Sequence, residues 1–194
     1  MQIFQSLTDP ELVALINNGA VGVLPTDTVY GLVCRAADPE AVARLYGLKH
    51  REHKPGTIIA ASTDQLVGLG IKARYLKAVE QFWPGAVSVE IPHGIDYLNQ
   101  STGRQAMRLP DDKPLQGLLA ETGPLQTTSA NAPDEPTAIN IQEALAYFGD
   151  TVDFYVDGGE LSNRPPSTII RIVDDAIEVI REGAVKIDET GKVG

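Results

Sequence analysis

Short apolar runs typical of strands alternate with helix-start signals along this chain of 194 residues. Asp9-Pro10 and Asp38-Pro39 each place a capping carboxylate before a proline, an arrangement that suits the first turn of a helix. Residues 57–61, Thr-Ile-Ile-Ala-Ala, form a short continuous apolar run that is typical of a buried strand. The chain closes on strand-like runs arranged as in a hairpin. We therefore predict an α/β fold in which flanking helices cover a twisted, mixed β-sheet, with residues 1–194 forming a single domain.

Capping residues, apolar periodicity and turn residues predict the individual elements. The predicted helices begin near residues 10 and 39 and otherwise span residues 63–69, 73–83, 113–121 and 141–148. The predicted strands are residues 21–24, 57–61, 86–91, 106–109, 125–128, 154–156, 168–172 and 177–180. Between the strands, a polar loop carries His93, Asp96 and Asn99, and residues 129–137 form a second loop.

Charge and cysteine content restrict the function and the compartment. The net charge of −10 argues against a protein that binds nucleic acid through a broad basic face. Residues 1–133 carry 11 basic and 13 acidic side chains, a net of −2, whereas residues 134–194 carry 5 and 13, a net of −8. A basic site for a phosphate ligand is therefore expected in the first two thirds. The single cysteine, the absence of a signal-peptide pattern and the lack of a membrane-spanning run predict a cytoplasmic protein with no membrane partner.

The residues at 21–32, Val-Gly-Val-Leu-Pro-Thr-Asp-Thr-Val-Tyr-Gly-Leu, combine strand character with a cluster of hydroxyl groups. Hydroxyl side chains just past the carboxyl end of a strand lie where open α/β sheets hold their ligands. An ordinary turn stabilised by its own polar side chains is the alternative. The residue types leave both interpretations open.

Residues 25–32, Pro-Thr-Asp-Thr-Val-Tyr-Gly-Leu, resemble the signature of the YrdC/TsaC family of threonylcarbamoyl-AMP synthases, and further matches extend over residues 21–184. The resemblance implies a YrdC-like fold around a basic concave cavity. It also implies synthesis of L-threonylcarbamoyl-AMP from L-threonine, bicarbonate or CO2 and ATP, with release of pyrophosphate. The product would serve the N6-threonylcarbamoyladenosine modification of tRNA next to the anticodon.

Residues 49–54, Lys-His-Arg-Glu-His-Lys, form the densest cationic run in the chain. By itself such a run is as consistent with a solvated corner as with a phosphate site. The resemblance to the family's Lys-x-Arg element implies that Lys49 and Arg51 contact the nucleotide phosphates and are catalytic, with Lys54 as a further contact. The segment departs from the family pattern because the gap after Arg51 is one residue shorter and Gly56 replaces the usual leucine. Two histidines in this run lack a third nearby ligand, so no metal site is predicted.

Other matches complete the set of residues that the resemblance implies. Met-Arg-Leu-Pro at 107–110 resembles the family's Val-Arg-x-Pro, Ser-Ala-Asn at 129–131 is a family element, and Pro-Ser-Thr-Ile-Ile at 166–170 resembles a third. Taken alone, these residues would also suit a structural salt bridge, turns and strand edges. The implied L-threonine contacts are Thr28, Tyr30, Arg108, Thr127 and Ser167. The implied ATP contacts are Lys49, Arg51, Lys54, Arg104, Ser129, Asn131, Thr137 and Arg181.

The chemistry implied by the resemblance needs no covalent nucleophile on the protein, since the carbamate of threonine attacks the α-phosphorus of ATP. Mg²⁺ is expected to arrive with ATP, and no organic cofactor is expected. The expected partners are ATP, L-threonine, bicarbonate, separate proteins that transfer the product to tRNA, and a weak contact with tRNA itself. The alternatives are a non-catalytic RNA-binding module and a carbamoyl-adenylate enzyme related to hydrogenase maturation.

Overall fold

The computed structural model describes residues 1–50, 52–174 and 176–188, and within them helices and strands alternate as predicted. The helices are α1 (Pro10–Asn17), α2 (Pro39–Leu48), α3 (Thr63–Leu69), α4 (Ala73–Lys77), α5 (Asp96–Asn99), α6 (Lys113–Thr122) and α7 (Ile141–Phe148). The strands are β1 (Gln2–Phe4), β2 (Gly22–Pro25), β3 (Tyr30–Arg35), β4 (Thr57–Ile59), β5 (Val87–Pro92), β6 (Arg104–Arg108), β7 (Leu125–Ser129), β8 (Phe154–Val156), β9 (Thr168–Val173) and β10 (Ala176–Arg181).

Side-chain caps fix the starts of the longer helices. Asp9 accepts a hydrogen bond from the backbone nitrogen of Glu11 before α1, and Asp38 accepts from Glu40 before α2. Asp112 caps α6 and Asn140 caps α7 in the same way. Each cap satisfies a backbone N–H that has no partner inside its own helix. These local contacts explain why the predicted helix starts agree with the structure.

Two predicted segments differ from the structure. The helix predicted at 73–83 is wrong, because α4 ends at Lys77 and a 3₁₀ turn occupies Glu80–Phe82. Leu76, Val79 and Phe82 are all buried, and their spacing of three suits 3₁₀ winding better than α-helical winding. The polar loop predicted after β5 contains the short helix α5.

Two strands were absent from the prediction. Strand β1 is an edge strand of three residues, too short for an alternating pattern to stand out. Strand β3 follows β2 as the second arm of a hairpin, with Pro25 opposite Tyr30. The signature at 25–32 is therefore a hairpin turn, whereas the sequence suggested the exit of an isolated strand.

One mixed sheet runs through the described part of the chain, with the strand order β1-β8-β2-β3-β7-β4-β6-β5-β9-β10. Strands β1, β8 and β2 are parallel to one another, as are β4 with β6 and β5 with β9. The other neighbouring pairs are antiparallel. Local hairpins and long crossovers therefore alternate across the sheet.

The two faces of the sheet are covered unequally. Buried residues of α2, α3, α4, α5 and α7 pack on one face and form the larger core. On the opposite face, α1 and α6 pack over β1, β8, β2, β3 and the ends of β4 and β7. That second core contains no residue of β5, β6, β9 or β10. This part of the sheet face remains open to a ligand.

Among the described residues, none of the helices has the length and apolar character needed to cross a membrane.

Candidate active site

The open part of the sheet carries polar side chains in register. Thr57 and Ile59 lie two residues apart on β4, so their side chains share one face of the sheet. Ile59 belongs to the core beneath α1 and α6. Thr57 lies opposite both Thr127 and Ala106, and Ala106 lies opposite Glu90. Residues that lie opposite one another in neighbouring strands point to the same face. These side chains therefore form a row across β7, β4, β6 and β5 on the uncovered face.

A cavity of about 330 Å³ lies on this face. Four of the predicted threonine contacts line it, namely Thr28, Arg108, Thr127 and Ser167. Three of the predicted nucleotide contacts also line it, namely Lys54, Ser129 and Arg181. The fold thus brings together residues from six separate segments of the chain. The site lies on a sheet face, whereas the sequence suggested the carboxyl end of a strand.

The β2–β3 turn closes one side of the cavity, and Thr26 holds the turn together. The hydroxyl of Thr26 donates to the carbonyl of Val29 at 2.7 Å and accepts from the backbone nitrogens of Thr28 and Val29 at 3.2 Å. The hydroxyls of Thr26 and Thr28 lie 3.1 Å apart, and both residues line the cavity. The turn interpretation and the ligand-site interpretation of this stretch are therefore compatible.

Arg108 is a buried cation at the cavity wall, with 3% of its surface exposed. Its Nη1 forms an ion pair with Oδ1 of Asp27, a residue of the signature turn. Within the described residues, Nε of Arg108 is buried and has no hydrogen-bond partner. A guanidinium group that lines a cavity can bind an anionic ligand through charge-assisted hydrogen bonds.

Ser167 and Arg181 form the opposite wall. The hydroxyl of Ser167 lies 2.9 Å from the hydroxyl of Ser88, and Nη2 of Arg181 donates to the carbonyl of Ser167 at 2.7 Å. Gly183 allows this approach, because a Cβ there would lie 2.3 Å from the carbonyl oxygen of Pro166. The segment after β10 is thereby held against the cavity.

The end of β7 contributes hydroxyl groups on both of its faces. Thr127 points toward β3, where a Cβ on Gly31 would lie 2.6 Å from the Thr127 hydroxyl. Thr128 is also buried and lines the cavity, and its Oγ1 has no hydrogen-bond partner among the described residues. Thr128 lies opposite Leu32, a residue of the larger core, so its side chain points away from the open face, and Thr127 supplies the hydroxyl on the ligand side.

A larger cavity of about 860 Å³ adjoins the first, since Lys54 lines both. Its other lining residues include Tyr46, Lys49, His50, Glu52, Asn131 and Asp134. The predicted nucleotide contacts are thus divided between the two cavities. His50 lines the larger cavity and His53 the smaller one, so the two histidines do not face a common centre.

Lys49 donates hydrogen bonds to three oxygens of the segment that follows β7. Its Nζ lies 3.0 Å from the carbonyl of Ser129, 2.5 Å from the carbonyl of Asn131 and 2.8 Å from Oδ1 of Asn131. The Ser129 hydroxyl donates to the same Oδ1 at 2.6 Å. Lys49 therefore holds the Ser129–Asn131 turn in addition to lining the cavity.

Comparison with known proteins assigns this arrangement to a family. A model for the Sua5/YciO/YrdC domain, described as "Telomere recombination", matches residues 14–183. The chain belongs to the Sua5/YciO/YrdC family.

Relatives with known names and structures support the same family. The chain is 32% identical over 165 residues to the threonylcarbamoyl-AMP synthase of Stutzerimonas stutzeri, with 82% of this chain and 89% of that protein covered. It is 34% identical over 166 residues to the threonylcarbamoyl-AMP synthase of Chromohalobacter salexigens, with 82% and 89% covered. A variant of P. abyssi Sua5 shares the fold, with a TM-score of 0.84 and 25% identity over 95% of this chain. This chain spans 61% of that Sua5 chain. The expected fold is confirmed.

In this Sua5/YciO/YrdC family member, some residues implied by the resemblance lie away from the cavities. Tyr30 is fully buried, and its hydroxyl donates to the carbonyl of Gly159 at 2.8 Å and accepts from the nitrogen of Gly158 at 2.9 Å. Tyr30 thus anchors the signature strand and lines neither cavity. Arg104 is exposed at the start of β6, and Thr137 lies in a loop; neither lines either of these two cavities. Arg51 lies outside the described residues.

Residues 52–56, which lead into β4, pack closely against neighbouring segments. The nitrogen of Lys54 donates to Oε1 of Gln100 at 2.7 Å, and Gly56 packs against β7. A Cβ on Gly56 would lie 2.2 Å from the carbonyl oxygen of Thr127. Glycine at this position allows the segment to lie directly on β7.

Sequence reasoning missed three residues of the site. Asp27 lies in the signature, where the sequence predicts no separate role for it, but it pairs with Arg108. Ser88 and Glu90 occupy the polar positions of β5, where Val87, Val89 and Ile91 are buried in the larger core. That alternation is a signal in the sequence, and it places both polar side chains on the open face.

Cys34, the single cysteine of the chain, is fully buried. Burial, with a smaller effect from the negative charge of Asp38, raises the pKa of the Cys34 thiol above its ordinary value. Burial likewise raises the pKa of the Tyr30 hydroxyl. The site therefore offers cations, hydroxyls and amides that position anions, and these groups suit catalysis by proximity and fixed charge.

Proposed function

We propose that this protein synthesises L-threonylcarbamoyl-AMP from L-threonine, bicarbonate or CO2 and ATP, with release of pyrophosphate. The product would serve the N6-threonylcarbamoyladenosine modification at position 37 of tRNA. The observation that carries the proposal is the buried Arg108, which lines a hydroxyl-rich cavity with an unpartnered Nε. Two relatives more than 30% identical over 82% of this chain carry the name threonylcarbamoyl-AMP synthase.

L-Threonine would occupy the smaller cavity. Its carboxylate would accept hydrogen bonds from Arg108, because Arg108 lines this cavity and guanidinium groups bind carboxylates through charge-assisted hydrogen bonds. Thr28, Thr127 and Ser167 line the same cavity and supply hydroxyl groups for the rest of the amino acid. The volume of about 330 Å³ suits a molecule of this size together with a carboxylated amine.

ATP would occupy the larger cavity with its α-phosphate toward the shared wall. Lys54 lines both cavities and is exposed, so its ammonium can reach phosphates at their junction. Ser129 and Asn131 lie on the turn that Lys49 holds and border the two cavities. Arg181 supplies a further cation from the opposite wall, and Arg51 is assigned to the phosphates by the family resemblance alone.

The reaction requires that two anions approach each other. The carbamate formed on threonine attacks the α-phosphorus of ATP, a P–O bond forms, and pyrophosphate leaves. Fixed cations at the junction offset the repulsion, and holding both substrates in adjoining cavities replaces a bimolecular encounter by a step within one complex. No protein nucleophile is needed, in agreement with the buried and unreactive Cys34.

Mg²⁺ would accompany the ATP phosphates in the larger cavity. Glu52 and Asp134 line that cavity, and carboxylate oxygens together with phosphate oxygens and water are the ligands that Mg²⁺ prefers. The donor set thus fits the ion. When bound, Mg²⁺ would neutralise part of the phosphate charge, and the two carboxylates would hold it away from the amino-acid site.

Separate proteins would transfer the threonylcarbamoyl group to tRNA. The net charge of −10 favours a small-ligand enzyme over a protein that grips the tRNA backbone across a broad surface. A contact with tRNA would then be weak and would depend strongly on the salt concentration.

The deciding experiment measures ATP-dependent pyrophosphate release with bicarbonate in the presence of L-threonine, L-serine, L-alanine or no amino acid. We expect release to require both bicarbonate and an amino acid, with L-threonine giving the highest kcat/KM. Omission of Mg²⁺ and addition of a chelator form the metal control. An absence of release, together with salt-sensitive binding of tRNA, would refute the enzyme and support the RNA-binding alternative.

A further inference from the structure

Among the described residues that line the smaller cavity, Glu90 is the one acidic side chain. It lies in the row across the open face, opposite Ala106 on β6, and Arg171 flanks it on β9. Nothing in the proposed reaction so far uses a carboxylate at this position. Its presence beside Arg108 therefore needs its own explanation.

Arg171 binds only one of the two carboxylate oxygens of Glu90. Its Nε donates to Oε2 at 2.7 Å and its Nη2 lies 2.6 Å from the same oxygen. No residue in the described part of the chain donates a hydrogen bond to Oε1 of Glu90. Arg171 thus fixes the orientation of the carboxylate, and Oε1 of this cavity-lining residue has no donor among the described residues.

Glu90 and Arg108 place opposite charges on one cavity wall. Arg108 lies two residues along β6 from Ala106, the residue opposite Glu90. Diagonal neighbours of this kind lie about 7 Å apart in an antiparallel pair, within reach of one another's side chains and of a small molecule between them. An α-amino acid carries a carboxylate and an ammonium group, so its two charges complement this pair.

We propose that Glu90 binds the α-ammonium group of the amino-acid substrate while Arg108 binds its carboxylate. The inference rests on the proposed function and adds a specificity-determining residue to it. The Glu90–Arg108 pair would select zwitterionic amino acids over other small acids, and the hydroxyls of Thr28, Thr127 and Ser167 would then distinguish among their side chains.

The test measures L-threonine binding by calorimetry without ATP, in the wild-type protein and in the Glu90→Gln variant. Glutamine keeps the shape of the side chain but removes the charge, so we expect affinity to fall about tenfold or more, the effect of losing one charged hydrogen bond. Glu178→Gln is the matched control, because Glu178 also pairs with Arg171, at 3.5 Å, but lies on β10 and does not line the cavity. We expect Glu178→Gln to bind L-threonine as the wild type does.

Two analogues identify the group that Glu90 binds. L-2-aminobutyrate keeps the ammonium group and lacks the side-chain hydroxyl, so its affinity should fall by the same factor in Glu90→Gln. 2-Hydroxybutyrate lacks the ammonium group, so the substitution should leave its binding unchanged. A loss for L-threonine without a loss for L-2-aminobutyrate would assign Glu90 to the hydroxyl and overturn the proposal.

Steady-state kinetics separate this inference from the proposed function. In Glu90→Gln the KM for L-threonine should rise while the KM for ATP stays constant, and Glu90→Asp, which keeps the charge, should recover part of the loss. Wild-type activity with unchanged L-threonine binding in Glu90→Gln would overturn the role of Glu90 alone. A wild-type protein that neither binds L-threonine nor releases pyrophosphate would overturn the proposed function and this inference with it.

Discussion

Lys49 is 3% exposed, and its ammonium group donates to the carbonyls of Ser129 and Asn131 and to the Asn131 side chain. A buried ammonium is stable only when oxygen atoms replace its water shell. The family resemblance assigns Lys49 to the nucleotide phosphates. The hydrogen bonds add a second role, in which Lys49 orients the turn that borders both cavities.

Replacement of Lys49 distinguishes these roles. In Lys49→Ala the buried acceptors of Ser129 and Asn131 lose their donor, so the free energy of unfolding without ligands should fall by about 2 kcal/mol. Lys54→Ala removes an exposed cation at the same junction and should change the free energy of unfolding by less than about 0.5 kcal/mol. Urea denaturation of both variants measures the difference. A Lys49→Ala variant as stable as the wild type would mean that Lys49 serves only the phosphates.

The hydrogen-bond donors of Arg108 have fewer protein partners than those of Lys49. Asp27 occupies one side of its guanidinium group, and Nε has no partner among the described residues. The two buried cations therefore differ in what remains for a ligand. Arg108 is poised to bind an anion, whereas Lys49 already holds the protein's own oxygens.

At the scale of elements, the basic segment between α2 and β4 reaches the cavities because it packs closely on β7. Gly56 begins this contact, and its carbonyl accepts a hydrogen bond from Nε2 of Gln105 at 3.1 Å. Nε2 of Gln105 also donates to Oε1 of Gln126 at 2.6 Å. This buried amide pair therefore stabilises the position of the segment. The path of the segment thus depends on two neighbouring strands, β6 and β7.

A side chain at Gly56 should force the segment away from β7. In Gly56→Ala the Cβ would lie 2.2 Å from the carbonyl oxygen of Thr127 and 2.5 Å from Nε2 of Gln126. Overpacking of this kind costs about 1–3 kcal/mol, and the KM for ATP should also rise because Lys54 moves with the segment. Thermal unfolding and steady-state kinetics measure the two effects.

Gly117→Ala is the matched control for that substitution. Gly117 is exposed within α6 and has open space where a Cβ would lie. Alanine there should stabilise the protein by up to about 1 kcal/mol through its higher helix propensity. Equal effects of the two substitutions would contradict a close contact at Gly56.

At the scale of the whole molecule, an acidic protein encloses a locally cationic site. The net charge is −10, yet Lys54, Arg108 and Arg181 line one cavity on the uncovered sheet face. Without ligands, the cations that line the cavity repel one another. Bound anions reduce that repulsion. Substrates should therefore stabilise the folded protein.

ATP with Mg²⁺ and L-threonine, each at about 100 times its Kd, should raise the free energy of unfolding by about 2.7 kcal/mol per ligand. For a chain of this size that corresponds to a rise in Tm of about 5 °C or more for each ligand. Differential scanning fluorimetry measures the shift, with NaCl at equal ionic strength as the control. A Tm that NaCl raises as much as the substrates do would indicate screening alone.

Much of the fold could be predicted from local signals. Capping residues set the starts of α1, α2 and α6, and the predicted bounds of α3, α7 and β8 agree with the structure. The predictions failed where contacts between distant segments determine the local structure. The 73–83 segment follows the spacing of its buried residues, and β3 has a backbone course that only its pairing with β2 and β7 reveals.

The prediction of the site likewise succeeded where short motifs were sufficient and failed where distant contacts determine a residue's role. Family motifs supplied Thr28, Arg108, Thr127 and Ser167 as residue types, and the structure places all four around one cavity. Tyr30 and Lys49 belong to the same motifs, but hydrogen bonds to Gly158, Gly159 and the segment after β7 give them structural roles. Such partners lie 80 or more residues away along the chain.

The sequence by itself determined the class of fold, the family and the residue types of the site, because capping, alternation and motifs act over a few neighbouring residues. Only the tertiary structure decided which sheet face stays open, which oxygens Lys49 holds and that Glu90 stands beside Arg108. The physical reason is strand register. Pairing between distant segments sets the face and the neighbours of every side chain, and no local signal encodes that pairing.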